Sequence, residues 1–166
     1  LYELEGALRR NAMIKSAEVY LTVNNEVRVE VVQRKPIARV HAQEHYYIDD
    51  VGEIMPLSEN RSARVPLVTG SINKKDVDDV FQLAKSIQED SFLKKNVVEI
   101  HVNADGSLSM MMRAQTFEVY LGNLDYFNKK VSNLKAFYQK IKKDNAFDAY
   151  SKVNLQFEDQ VVCTKK

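Results

Sequence analysis

The chain has 166 residues, of which 45% are hydrophobic and 28% are charged. These values exclude wholesale disorder, and the length suits one ordinary domain or two small ones. The net charge of +1, from 24 basic and 23 acidic residues, provides no electrostatic basis for binding nucleic acid. No apolar run approaches the ~20 residues that span a bilayer. The chain starts inside an amphipathic pattern, so we expect the natural protein to continue upstream, with any membrane anchor there.

The first third of the chain predicts a helix end and a hairpin. Apolar residues at helical spacing indicate a helix over residues 2–10. Residues 17–22 and 27–32 alternate apolar and polar side chains, and an Asn-Asn pair between them favours a tight turn. We therefore expect a β-hairpin with one apolar face. Pro36 cannot donate to a sheet ladder, which makes it the best candidate for a boundary between two modules.

The remainder predicts strands with two helices inserted among them. A helix over residues 74–89 begins at Asn73, with Asp76 completing a capping box, and a longer helix over residues 124–142 begins after Asn123. The polar residues 58–64 indicate an exposed loop. Alternation and turn residues predict the strands, which cover residues 37–42, 46–48, 53–55, 97–102, 108–113, 117–121, 153–157 and 161–163. Residues 65–70 form a short apolar run between a proline and a glycine.

No pattern of residues indicates catalysis, a cofactor or a metal. His41 and His45 are four apart, a spacing that joins two imidazoles on a helix, but their surroundings predict strand and turn. Asp49 and Asp50 are explained more simply by an Asx-type turn than by acid–base chemistry. Cys163 is the only cysteine, so the chain can form no internal disulfide, and among apolar neighbours it is read as a small hydrophobe.

Two features leave alternatives open. Met110, Met111 and Met112 form a cluster that suits an adaptable contact surface, although alternation in a strand favours one or two of them as core residues. The last strand either pairs only within the fold or lies at a sheet edge, where its free N–H and C=O groups can accept a strand from another protein.

Several short motifs occur in an order and spacing shared with a known family. In chain order they are Leu4-Glu5-x-x-Leu8, the valine-rich hairpin that ends in Gln33-Arg34-x-Pro36-Ile37-Ala38, Tyr47-Ile48-Asp49-x-x-Gly52, Val65-Pro66-Leu67-Val68-x-Gly70 and the tail Gln160-Val161-Val162-Cys163-Thr164-Lys165. Together they resemble the extracytoplasmic part of the bacterial division proteins FtsQ and DivIB, and the tail is similar to the version found in Bacteroides-type bacteria.

The resemblance implies an α+β fold in two parts. Residues 1–36 would be the C-terminal part of a POTRA domain, a helix and a β-hairpin. Residues 37–166 would be an FtsQ-type β-domain with two helices packed on a mostly antiparallel sheet. The first strand and first helix of a POTRA domain have no counterpart in this sequence.

The resemblance also implies a function without enzymatic activity. Members of the family are anchored in the inner membrane, face the periplasm at the division septum, and recruit or stabilise divisome proteins of the FtsB/DivIC and FtsL type; the POTRA side makes other division contacts. The partner adds a strand at the C-terminal edge of the β-domain. Carried onto this chain, with residues 150–155 behind it, that surface comprises Phe157, Glu158, Asp159, Gln160, Val161 and Val162.

Two other functions compete with this interpretation. A POTRA-like chaperone or export module would bind unfolded or secreted polypeptides, and tandem POTRA repeats would favour it, but only one partial copy is visible. A cell-wall hydrolase is the weaker alternative, because no catalytic constellation is present.

Overall fold

The computed structural model describes residues 1–166, which form two separate sheets. The smaller sheet is the predicted hairpin, in which Asn25 takes the left-handed conformation (φ 62°) in the turn. A short helix precedes it, and Ala17 and Val19 are the only buried residues before Ile37. The elements are α1 (Tyr2–Arg9), β1 (Ile14–Leu21) and β2 (Val27–Gln33).

The larger sheet has nine strands in the order β11-β10-β9-β8-β7-β6-β3-β4-β5. Five of its eight strand pairs are antiparallel, and the parallel pairs are β3–β6, β6–β7 and β9–β10. The strands are β3 (Pro36–His41), β4 (His45–Asp49), β5 (Ile54–Met55), β6 (Leu67–Gly70), β7 (Val97–Val102), β8 (Leu108–Met112), β9 (Glu118–Gly122), β10 (Tyr150–Asn154) and β11 (Val162–Lys165).

Helices connect the parallel pairs β6–β7 and β9–β10. A 3₁₀ turn (Lys74–Asp76) leads into α2 (Val77–Glu89), which is followed by α3 (Ser91–Asn96), while α4 (Phe127–Lys143) lies between β9 and β10. Both connections start from strands that point the same way and step in the same direction across the sheet. Right-handed crossovers therefore place these helices on one face, which we call the core face.

The core face is built from one cross-strand row of apolar residues. The register aligns Val40, Val68, Ile100, Met110, Val119 and Val153, all at most 1% exposed. They share a single cluster of 24 buried residues with Leu83 and Ile87 of α2 and with Leu134 and Ile141 of α4. The predicted α+β class is thus confirmed.

The opposite, open face of the sheet is polar. Thr69 Oγ1 donates to Glu99 Oε1 (2.5 Å) and lies 2.9 Å from His101 Nδ1. Ser109 Oγ donates to Glu118 Oε1 (2.5 Å) in the neighbouring strands. Since side chains of a strand alternate between faces, Met110 and Met112 are core residues, whereas Met111 lies on the open face.

An ion-pair joint connects the two sheets. Arg34, in the linker between β2 and β3, contacts Asp49 Oδ2 (3.0 Å) and Glu53 Oε2 (2.5 Å) through Nη1. Asp49 is fully buried and also accepts the backbone N–H groups of Val51 and Glu53. Lys15 of β1 pairs with Asp50 (3.0 Å). Asp49 therefore caps a turn, as the Asx-turn interpretation requires. Both aspartates also form ion pairs with residues of the smaller sheet and its linker.

Some sequence predictions differ from the structure. The long helix begins at Phe127 and not at residue 124, because Asn123 Oδ1 accepts Asp125 N–H in an Asx turn and Tyr126 is left-handed (φ 55°). The strand predicted over residues 153–157 ends at Asn154. Helix α3 was not predicted, since six residues are too few to show periodicity. The valine face of β2 is exposed.

Candidate partner-binding edge of the sheet

The nine-stranded sheet has one substantial free edge. β11 pairs with β10 on one side and with no strand on the other. The opposite end of the sheet is β5, which has only two residues. A strand with unpaired N–H and C=O groups is a template for another strand. Of the two alternatives that the sequence left open, the structure shows the second, because the last strand lies at a sheet edge.

Alternate residues of β11 direct their backbone N–H and C=O groups toward β10 and away from it. Lys166 N–H donates to Ala149 O (3.2 Å), and Thr164 O accepts Ser151 Oγ–H (3.3 Å), so both residues direct backbone groups toward β10. Because successive residues of a strand point their backbone groups to opposite sides, Cys163 and Lys165 present theirs to the open edge. Two N–H groups and two C=O groups are therefore free to pair with an added strand.

The residues predicted to bind a partner lie mostly just before this strand. Val162 is in β11 and is 42% exposed, whereas Phe157, Glu158, Asp159, Gln160 and Val161 form the loop that leads from β10 to β11. Sequence reasoning omitted Thr164 and Lys165, which extend the strand. The β-branched Thr164 was the one local signal for this extension.

Helix α4 holds the loop in place. Lys129 Nζ contacts Glu158 Oε1 (3.2 Å) and Asp159 Oδ1 (2.7 Å), and Asn133 Nδ2 donates to Glu158 O (3.2 Å). These two carboxylates raise the pKa of Lys129. Phe157 remains 39% exposed. The loop thus has a defined conformation and offers an aromatic ring to solvent.

A groove of about 380 Å³ lies between α4 and β11. Six apolar residues and five polar or charged residues line it. The apolar residues are Ala136, Phe137, Ile141, Tyr150, Val161 and Cys163. Burial raises the pKa of the Cys163 thiol, which keeps it neutral at physiological pH. The side chains of a strand added to β11 would alternate between this groove and the open face of the sheet.

The surroundings of the edge are basic. Residues 127–166 contain nine lysines and four acidic residues, a net charge of +5, whereas residues 1–126 carry −4 (15 basic, 19 acidic). Helix α4 alone contributes six lysines and no acidic residue. The near-neutral total charge therefore conceals a strong asymmetry along the chain.

Comparison with known proteins identifies the family. Residues 35–164, well over half of the chain, match the family described as FtsQ/DivIB, C-terminal related. The chain belongs to the FtsQ/DivIB, C-terminal related family.

A curated relative of this FtsQ/DivIB chain is the cell division protein FtsQ of Geotalea daltonii (strain DSM 22248 / JCM 15807 / FRC-32). The two are 23% identical over 169 residues, which cover 94% of the chain and 60% of the relative. The chain therefore spans about 60% of the length of the curated relative it matches. None of the four α-helices of this chain has the length and apolar character required to cross a membrane.

The other motifs of this FtsQ/DivIB chain lie away from the edge. His41 and His45 face each other across the β3–β4 hairpin, and His101 is bound to Thr69 on the open face. No group of three or more His, Cys, Asp or Glu side chains is arranged to hold a metal ion.

Lys130 is a buried residue that sequence reasoning missed. It is 3% exposed, and its Nζ donates to Leu121 O (3.0 Å), Asn123 O (2.8 Å) and Asn123 Oδ1 (3.3 Å). Burial lowers the pKa of Lys130, while Asp125 opposes that effect. Lysines on a helix are mostly exposed to solvent, and nothing in the sequence distinguishes Lys130 from Lys129.

Proposed function

We propose that this chain is a non-enzymatic scaffold of bacterial cell division. It binds a divisome partner of the FtsB/DivIC or FtsL type by strand addition at the free edge of β11. Membership of the FtsQ/DivIB, C-terminal related family supports the division role. The observation that carries the mechanism is the unpaired edge of β11, with the outward backbone groups of Cys163 and Lys165 beside the groove between α4 and β11.

The proposal includes a division of the chain into two modules and a location. Residues 1–36 are the C-terminal part of a POTRA domain and residues 37–166 are the β-domain. The change of sheet at the linker Arg34-Lys35 and the start of the family match at residue 35 support this boundary. The β-domain faces the periplasm, and the anchor in the inner membrane lies outside the residues described.

Binding of FtsB- and FtsL-like peptides to the purified chain tests the mechanism. Lys165→Pro removes one outward N–H and leaves the internal β10–β11 ladder intact, because Thr164 and Lys166 form it. We expect Lys165→Pro to weaken binding about tenfold or more, the equivalent of roughly 1.4 kcal/mol. The matched control, Lys165→Ala, loses the same charge and keeps the N–H, so its affinity should stay closer to that of the unaltered chain.

Phe157→Lys tests the contribution of the loop in the same titration. A loss of affinity would support an aromatic contact at the edge. Equal affinities for the unaltered chain, Lys165→Pro and Phe157→Lys would reject the β11 edge as the binding surface.

The exposed valine face of β2 favours one other function, a module that binds unfolded polypeptides. Val27, Val29 and Val31 are 52%, 45% and 43% exposed and lie in one row. On that alternative, Val29→Lys abolishes binding of an unfolded polypeptide and Lys165→Pro leaves it unchanged.

A further inference from the structure

His41 and His45 form a cross-strand pair at the tip of the β3–β4 hairpin. The antiparallel register places them directly opposite each other, and their ring centroids are 4.3 Å apart with an interplanar angle of 43°. Both side chains are exposed. Residues four apart are expected to be neighbours only on a helix. Here the pairing of the two strands brings the imidazoles together instead.

Strand alternation places both rings on the open face of the sheet. Val40, next to His41, is buried in the core, and Tyr46, next to His45, packs against that core. Val40 of β3 pairs with Val68 of β6, so the next residues along the two strands, His41 and Thr69, lie beside each other. Thr69 in turn pairs with His101 of β7. All three histidines of the chain therefore lie in one row across the open face.

We propose that His41 and His45 chelate a divalent transition-metal ion of the Zn²⁺, Ni²⁺ or Cu²⁺ class. Two imidazoles on one such ion, with a metal–nitrogen distance of about 2.0–2.1 Å, place their ring centroids roughly 4.5–5 Å apart. The observed 4.3 Å requires only small side-chain rotations to reach that separation. The hairpin supplies the preorganisation that a helical His-x₃-His pair obtains from its turn.

The donor set determines the strength and selectivity of the site. No third imidazole, thiol or carboxylate completes it, so solvent supplies the remaining ligands and the ion exchanges readily. Imidazole nitrogen favours these metals over Mg²⁺ and Ca²⁺, which take oxygen ligands. The nearby charged groups are Arg39, two residues earlier in β3, and Glu44 in the hairpin loop. Their charges offset each other.

His101 provides a matched control within the same row. It lies two strands away from His41, and Thr69 Oγ1 is 2.9 Å from its Nδ1. It is not arranged with the pair to hold one ion, since no group of three such side chains is. A site formed by the cross-strand pair therefore depends on His41 and His45 and is independent of His101.

Calorimetric titration of the whole chain, free of any affinity tag, with ZnCl₂ and separately with NiCl₂ tests the site. We expect saturable binding of one ion per chain. His41→Gln or His45→Gln should each weaken binding by roughly 100-fold through loss of the chelate. His101→Gln should change it less than about twofold, well within the tenfold step that corresponds to 1.4 kcal/mol.

The site would be rejected by three results. These are the absence of saturable binding, unchanged affinity in His41→Gln or His45→Gln, and an equal loss of affinity in His101→Gln. Circular dichroism of each variant establishes that the fold is retained, and the exposure of both rings makes that outcome the expected one. MgCl₂ in place of ZnCl₂ should produce no binding, and binding of Mg²⁺ at the same residues would overturn the proposed chemistry.

Discussion

Gly70 ends β6 in a conformation that other residues rarely adopt. Its φ is +99°, and a Cβ atom there would lie 2.1 Å from Val102 O, a backbone atom of the paired strand. β6 and β7 form the parallel centre of the sheet, so neither strand can move without disturbing the core row through Val68 and Ile100. Glycine is required here for two reasons, because its φ is positive and because the backbone of β7 leaves no room for a Cβ atom.

Gly70→Ala is therefore expected to destabilise the protein by at least about 2 kcal/mol, from backbone strain and the clash with Val102. Urea denaturation followed by circular dichroism measures the change. Gly6→Ala is the matched control, because Gly6 lies in α1 and nothing is within 4 Å of an added Cβ. It should leave stability unchanged or raise it by up to about 1 kcal/mol. Equal effects of the two substitutions would contradict the steric argument.

Helix α4 holds the loop that leads to the candidate edge. The start of this helix is tied to β9 by Lys130. The Lys130 ammonium satisfies the carbonyl groups of Leu121 and Asn123, which carry the chain from β9 into the left-handed residue Tyr126. Beside it, Lys129 and Asn133 hold the loop before β11. Two adjacent lysines of α4 thus make different contacts. Lys130 bonds buried carbonyl groups, and Lys129 pairs with carboxylates at the surface.

Lys130→Met should destabilise the protein by about 2–3 kcal/mol, because it leaves the buried carbonyl of Leu121 without a donor. Lys129→Met removes only exposed ion pairs, so it should destabilise the protein clearly less than Lys130→Met. Thermal or urea unfolding of both variants measures the difference. Similar stabilities would show that the buried ammonium contributes no more than the surface pair.

At the scale of the whole molecule, the two sheets differ greatly in buried apolar surface. The 24-residue core lies entirely within residues 37–155, whereas the smaller sheet buries only Ala17 and Val19. The joint through Arg34 and Lys15 is polar. Local opening is easiest where few apolar contacts are lost, so the smaller sheet is expected to open while the larger one stays folded.

Hydrogen exchange followed by mass spectrometry tests this difference. Amides of β2 should exchange faster than those of β6, β7 and β8, which lie in the middle of the nine-stranded sheet. Amides of β10, near the edge but paired on both sides, should be intermediate. Uniform protection across both sheets would mean that they open as one unit and that the joint contributes more than its few ion pairs suggest.

Much of this architecture was determined by local sequence. Alternating residues identified most strands of the larger sheet, and the Asn73–Asp76 capping box formed as predicted, with Asn73 N–H donating to Asp76 Oδ2 (2.9 Å). The turns after β1, β4 and β7 followed from their Asn, Asp and Gly residues. These features depend on contacts within a few residues, so the sequence pattern contains the information needed to predict them.

Only the tertiary structure decided the features that depend on which strands become neighbours. Strand order left β11 with an unpaired edge, and register joined His41 to His45. Packing separated buried Lys130 from exposed Lys129, and it placed Met110 in the core and Met111 on the open face. The sequence by itself determined the family, the α+β class and nearly all the elements, because motif order and periodicity are properties of the chain. Edges, cross-strand pairs and buried charges are properties of the assembled sheet, since each arises from contacts between residues that are distant in sequence.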